Sequence, residues 1–164
     1  MPGEVNIMSD FKVGQLTKEL VAIRLRNMGD PCTAAAELVK KTLLVALKGV
    51  QAKDPQSTTI IRDACEGGLT GLLVAEQSLP KGAVKLMEAV SEVAMEMGLD
   101  PMEAMQAALE GFADLYKVVT QEQLDDIRRE LGTNFMGTNE AFSAIVYALK
   151  ERDMRMSPMS SPKD

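Results

Sequence analysis

The chain has 164 residues, 46% of them hydrophobic and 26% charged, which is the size and composition of a single globular domain. It contains no histidine, so Ser-His-Asp and Cys-His catalysis and histidine-containing zinc or di-iron sites are excluded within the chain. Its net charge of −6, with acidic residues near almost every basic one, argues against binding to nucleic acid or to an anionic membrane.

Apolar residues recur at helical spacing along most of the chain, and no segment alternates convincingly between polar and apolar residues as a β-strand does. Strong helix formers dominate the composition, while aromatic residues make up only 4% of it. We therefore predict an all-α protein of six or seven helices. The predicted helices run over about 9–28, 31–48, 55–77 and 79–97, followed by three that begin after Asp100, after Thr120 and near Thr138.

Three of these helix starts carry the same signal, an aspartate followed directly by a proline. Asp30, Asp54 and Asp100 are suitable N-cap residues because a carboxylate accepts hydrogen bonds from the free amides of the first turn. Proline suits the next position because the first helical residue needs no amide donor. The sequence thus fixes where these three helices begin.

The last two predicted helices begin at threonines rather than at Asp-Pro pairs. Thr120 and Gln123 form a capping-box pattern that opens a short helix, which we expect to end before Gly132. Thr138 is the expected cap of the final helix.

We predict one compact domain over residues 9–153, in which the helices form an orthogonal or bundle-like array. Residues 1–8 are expected to be a flexible N-terminus. Residues 154–164 contain two prolines and no helical period, so we expect them to be a disordered tail.

The two cysteines are expected to be reduced. The N-terminal sequence lacks the basic start and apolar core of a signal peptide, and no apolar run approaches the roughly 18 residues that span a bilayer. We therefore expect a cytoplasmic location, where Cys32 and Cys65 stay thiols. Cys32 would occupy the second position of its helix, where the helix dipole favours a thiolate, so it is either a reactive thiol or a partly buried structural one.

The predicted helix over 55–77 carries three glycines in its apolar middle, each costing roughly 0.8–1 kcal/mol relative to alanine. A phosphate-binding loop is excluded because no strand precedes the glycines and no lysine follows within reach. A helix break at Gly67 and Gly68 stays open, as does a groove that holds a ligand or a partner helix. We favour close packing between two ridges of small residues, namely Ala64, Gly68, Gly71 and Ala75 in this helix and Ala104, Ala107, Ala108 and Gly111 in the fifth.

Two features of the fourth and fifth predicted helices are candidate surfaces. Glu88, Glu92 and Glu96 repeat every four residues, a pattern that suits a divalent cation, a basic partner or a solvated helix face. Flexible thioether side chains nearby are typical of adaptable binding surfaces, and they belong to Met97, Met102 and Met105.

From these features we expect a non-enzymatic interaction or structural protein that acts through helix–helix packing and self-associates as a homo-oligomer. Its interface would use the small residues and methionines of the fourth and fifth predicted helices. The alternative is a small ligand-binding or divalent-metal-binding domain, or an enzyme, that uses the clustered carboxylates of Glu88, Glu92, Glu96 and Glu103. We expect no cofactor, and neither nucleic acid nor a membrane as a partner.

Overall fold

The computed structural model describes residues 30–51 and 53–156, together with Gly14, Thr17 and Lys18, which are helical. The predicted flexible start over 1–8, most of the first predicted helix and residues 157–164 of the predicted tail lie outside the described residues. Within the described part the chain is all-α, as predicted, and contains no strand. Its elements are α1 (Pro31–Ala46), α2 (Pro55–Val74), α3 (Leu79–Met97), α4 (Pro101–Ala113), a 3-10 turn (Asp114–Lys117), α5 (Gln121–Asn134) and α6 (Thr138–Met156).

Four of the predicted helix starts are confirmed by their caps, whereas the predicted cap Thr138 is itself the first residue of α6 and its hydroxyl donates to the Phe135 carbonyl oxygen at 2.7 Å. Asp54 accepts a hydrogen bond from the Gln56 amide at 2.9 Å, and Asp100 accepts one from the Met102 amide at the same distance. Asp30 caps α1 in the same way, and Thr120 forms the predicted capping box at the start of α5. In each case a side chain satisfies an amide that has no partner within the helix.

Two helices, α5 and α6, run further than predicted, whereas α1 and α2 end two and three residues earlier. Helix α5 runs through Gly132 to Asn134, and an added Cβ on Gly132 would lie 2.9 Å from the Cβ of Asn139. The glycine therefore lets α5 and α6 approach each other at their junction rather than ending the helix. Helix α6 continues to Met156, beyond the predicted domain end, and an ion pair one turn apart, Arg155 with Glu151 at 3.3 Å, supports this last turn.

The helices pack around a single core in which α2 and α3 are central. Helix α2 makes its most extensive contact with α4, while α1 lies against α3 and α5 lies between α3 and α6. Phe112 of α4 and Phe142 of α6 are the largest fully buried side chains. None of the helices in the described part is both long and apolar enough to cross a bilayer.

The glycine-containing helix is continuous, since α2 passes through Gly67 and Gly68 without a break. Its closest approach to α4 is made by Gly111, where an added Cβ would overlap the Arg62 carbonyl oxygen and lie 3.0 Å from the Glu66 amide nitrogen. The two backbones are therefore nearly in contact at this point. Glycine destabilises a helix, and no interaction within the helix compensates for that loss of free energy. The close packing at this contact does.

The glycines of α2 do not all face α4, which corrects the predicted arrangement of ridges. An added Cβ on Gly68 would lie 2.8 Å from a methyl of Val39 in α1 and 3.2 Å from Leu86 in α3. An added Cβ on Gly67 would instead overlap the backbone of Gly14. Because α2 has neighbours on several sides and successive residues turn by about 100°, each glycine admits a different neighbour.

Candidate functional site

An open groove of about 1160 Å³ lies between α2 and α6. Both helices pack against α4, yet in the described part of the chain they scarcely touch each other. The space left between them is the groove, and α4 with the 3-10 turn completes its lining. We call it the α2–α6 groove.

Polar side chains from α2 and α4 form one side of the groove. On α2 they are Arg62, Glu66 and Thr70, which are four residues apart and so lie in one row on the helix. A second row with the same spacing runs down α4 into the 3-10 turn and consists of Gln106, Glu110 and Asp114.

Small and branched apolar side chains of α6 form the other side. Ala144 and Ala148 are exposed, whereas Ile145 and Leu149 are partly buried against the core. The spacing of these residues predicts one apolar stripe along the helix. The apolar lining comprises Ala141, Ala144, Ile145, Ala148 and Leu149 of α6 with Leu115 and Val118 below them.

Two carboxyl groups, those of Glu66 and Asp114, interact within the groove. Burial raises the pKa of Glu66 to about 7, and the nearby charges of Asp114 and Asp63 add to the shift. Burial also raises the pKa of Asp114, against the attraction of the Arg62 guanidinium. Because the two groups are coupled, their proton belongs to the pair, which keeps it up to near-neutral pH.

The cationic side chains of the groove pair with carboxylates outside its lining. Arg62 lies 3.6 Å from Asp63, and Arg152 lies 3.2 Å from Asp153. Lys117 also pairs with Asp153, at 3.6 Å. Within the described residues, the three acidic groups of the groove form no ion pair of their own; these are Glu66, Glu110 and Asp114.

The small residues predicted as an interface lie inside the domain. All of them are buried except Ala75, which is partly buried against the core; the buried set is Ala64, Gly68, Gly71, Ala104, Ala108 and Gly111. They join helices of this chain and leave no area for a partner. Of the predicted methionines, Met102 is 76% exposed, whereas Met97 and Met105 are packed against the core.

The carboxylates of the predicted acidic stripe on α3 form ion pairs with lysines. Lys40 of α1 lies 3.1 Å from Glu92 and 3.5 Å from Glu96, and Lys85 lies 3.8 Å from Glu88. Across the described residues, no group of three Cys, Asp or Glu side chains is arranged to hold a metal ion. The stripe is therefore an ion-paired helix surface in this structure.

Both cysteines are free and buried. The Cys32 thiol points at the Ser78 carbonyl oxygen, with an Sγ–O distance of 3.5 Å, and burial raises its pKa. Burial also raises the pKa of Cys65, strongly. A raised pKa disfavours the thiolate, so burial works against the reactive thiol predicted at Cys32.

The pair of carboxyls was missed by sequence reasoning, although a signal for it exists. Glu66 is the one charged residue within the stretch 64–69, which is otherwise made of small and apolar residues. A charged group in the tightest-packed part of a helix must either reach a solvent-filled space or find a partner. Asp114, two residues beyond Phe112, gave no comparable signal because it falls in a generally acidic region.

Comparisons with known proteins return nothing. No protein-family model matches the chain, and no curated protein or solved structure matches it either.

Proposed function

We propose that this protein is an interaction protein whose α2–α6 groove binds an amphipathic helix of a partner protein. The observation that carries the proposal is the groove itself, which has an apolar wall on α6, a polar wall on α2 and α4, and an open mouth. Amphipathic helices bind in grooves of this kind by burying an apolar face against one wall.

The size of the groove favours a helix over a small molecule. The groove measures about 1160 Å³ and is open to solvent. Sites for small molecules typically enclose about 300–1,000 Å³ and bury most of the ligand. This groove is both larger and more open.

The alanines of α6 favour a helix as well. Ala144 and Ala148 are exposed small residues one turn apart, and between them they leave room for side chains of an approaching helix. Their partly buried neighbours Ile145 and Leu149 supply apolar contact area beneath. The predicted helix-packing function is retained in this proposal, but its surface moves from the small-residue ridges to α6.

A displayed library of helices about 14 residues long tests the proposal, with two tryptophan variants as the matched pair. Ala144 lines the groove, whereas the adjacent Ser143 is also exposed and lies outside the lining. Helices selected on the wild-type protein are expected to lose at least tenfold in affinity for Ala144→Trp and to keep it for Ser143→Trp. A library that yields no binder, or binders indifferent to Ala144→Trp, contradicts the proposal.

Self-association and location are parts of the same proposal. A second copy of this chain is one source of such a helix, and light scattering across a concentration series distinguishes it from a different protein. The two free, buried cysteines fit a reducing compartment, so we propose the cytoplasm.

A second candidate function is binding or acid–base chemistry on a small ligand, favoured by the pKa of about 7 at Glu66. Such a value suits proton transfer near neutral pH. A thermal-shift screen with small diamines and divalent metals tests it, because a ligand at 100 times its Kd adds about 2.7 kcal/mol of stability. A stabilisation that disappears in Glu66→Gln would favour this candidate, and a flat screen would count against it.

A further inference from the structure

We infer that Asp153 of α6 is a positioning residue for the α2–α6 groove. Its carboxylate links the last two turns of α6 to the 3-10 turn and so keeps the end of the groove's α6 wall in place. The inference rests on the proposed function, because it specifies what holds that site in its binding geometry. We call residues 150–156 the end segment of α6.

The end segment lies beyond the apolar residues that anchor α6 to the domain. Those residues are Ala141, Phe142, Ile145, Val146 and Leu149. In the end segment the two apolar side chains, Met154 and Met156, are 68% and 73% exposed. Lys150 donates a hydrogen bond to Gln121 of α5 at 3.2 Å, but this contact is exposed. Burial of apolar surface therefore stabilises α6 up to Leu149, whereas the end segment depends on polar contacts.

The main polar contacts of the end segment converge on Asp153. The Tyr116 hydroxyl donates a hydrogen bond to one carboxylate oxygen, and the Lys117 ammonium lies 3.6 Å from the same atom. The Arg152 guanidinium lies 3.2 Å from the other oxygen. Hydrogen bonds to a charged group are stronger than those between neutral groups. Because the Tyr116 side chain packs against the core, its hydroxyl is a fixed point of attachment for the end segment.

Asp153 also fixes two side chains that line the groove. Lys117 and Arg152 both belong to the lining, whereas Asp153 lies outside it. One comes from the 3-10 turn and the other from α6, so a single carboxylate holds both at the same end of the groove. Without it, a partner helix would have to order these side chains and the end segment as it binds, which costs affinity.

Asp153→Asn and Tyr116→Phe test this role, with Glu151→Gln as the matched control. Glu151 lies in the same end segment, and its substitution changes the net charge as much as Asp153→Asn does. Its hydrogen bonds go to Tyr147 and Arg155, which belong to α6 itself, so it does not link α6 to another element. The control therefore measures how far a weaker helix end alone changes each result.

Amide hydrogen exchange measures how firmly the end segment is held. We expect exchange over residues 150–156 to become about tenfold faster in Asp153→Asn and in Tyr116→Phe, and to stay unchanged at Val146. Combining the two substitutions is expected to add little to Asp153→Asn alone, because both remove the same contact. Glu151→Gln is expected to raise the exchange rate only about twofold, the effect of losing a pair within one helix.

Affinity for the helices selected from the displayed library connects the end segment to the groove. We expect Asp153→Asn to weaken their binding about tenfold, because two lining side chains and the end segment lose their fixed positions. Asp153→Glu, which keeps the carboxylate, is expected to restore most of the affinity. Glu151→Gln is expected to leave the affinity within about twofold of the wild type.

The outcomes separate this inference from the proposed function. Unchanged exchange in Asp153→Asn overturns the inference, and so does faster exchange without a loss of affinity; both leave the proposed function standing. An equal loss of affinity in Glu151→Gln also overturns it, because any weakening of the helix end would then suffice. Helices that ignore Ala144→Trp overturn the proposed function and the role in the groove, even if exchange shows that Asp153 holds the end segment.

Discussion

The two long faces of α2 show how the same kind of residue has opposite effects in different surroundings. On the face towards α4, Gly111 brings the two backbones nearly into contact at Arg62 and Glu66, and the space is closed. On the face towards α6, the small residues Ala144 and Ala148 of α6 line a groove of about 1160 Å³. Small side chains therefore give close helix–helix packing only where the neighbouring helix lies directly against them.

The cause of the difference lies in α4. Both α2 and α6 pack on it. Gly111 lets α2 come nearly into backbone contact with α4, whereas α6 carries the large buried side chain of Phe142. The domain is therefore closely packed between α2 and α4 and open between α2 and α6.

The largest effect is expected from Gly111→Ala, which forces α2 and α4 apart where their backbones are nearly in contact. The added methyl group meets the Arg62 carbonyl and the Glu66 amide, which belong to the α2 backbone and cannot rotate away. We expect the free energy of unfolding to fall by about 3 kcal/mol or more, despite the better helix propensity of alanine. Urea denaturation followed by circular dichroism measures this loss, and unchanged stability would mean that the two helices are not in close contact.

Gly68→Ala is the matched change, because the atoms that its new methyl group meets belong to side chains rather than to a backbone. The new methyl group meets Val39 at 2.8 Å and Leu86 at 3.2 Å, and these side chains have to shift to admit it. We expect a loss of about 1 kcal/mol, the net of overpacking and improved propensity, in the same denaturation experiment. If Gly68→Ala lowered the free energy of unfolding as much as Gly111→Ala does, the core side chains would be as unable to move aside as the α2 backbone.

The open face is tested by the pH dependence of stability. The pKa of Glu66 rises from 4.5 in the unfolded chain to about 7 in the fold, so the folded state binds the additional proton between these values. Its stabilising contribution is complete below pH 4.5 and is lost as the pH rises through 7. Because the groove is solvent-accessible, we expect Glu66→Gln to add only about 1 kcal/mol at pH 8 relative to the wild type, and little at pH 5. Equal effects at both pH values would place Glu66 in an unperturbed environment.

The smallest expected effect concerns the acidic stripe of α3, where Lys40 occupies the place of a cation. Adding Mg²⁺, Mn²⁺ or Zn²⁺ is expected to leave the melting temperature unchanged, and the Lys40→Gln variant is expected to respond no differently. A metal-dependent rise that requires Glu92 and Glu96 would restore the metal hypothesis for this surface.

Local chemistry explains which parts of the fold the sequence predicts. Asp-Pro pairs and capping threonines act within one turn, so the helix starts at Pro31, Pro55 and Pro101 follow from neighbouring residues alone. The small residues of α2 also predict close packing. They do not tell which neighbour each glycine admits, because that depends on the azimuth of helices distant in sequence, as Gly68 illustrates.

The groove was beyond sequence reasoning for the same physical reason. It exists because α2 and α6 fail to meet, and their residues are about 80 positions apart along the chain. The residue row of Arg62, Glu66 and Thr70 has the pattern of an ordinary solvated helix face. Only its placement beside Asp114 and opposite α6 makes it one wall of a site.

Solvent relaxation of alanine methyl signals tests the contrast between the two faces most directly. A soluble paramagnetic chelate, added to protein labelled with carbon-13 at its alanine methyl groups, broadens the signals of methyls that solvent can reach. We expect strong broadening for Ala144 and Ala148 and none for Ala104 and Ala108, which are buried in the core. If Ala144 and Ala148 were as protected from broadening as Ala104 and Ala108, the groove would be closed in solution. The proposed site for a partner helix would then be wrong.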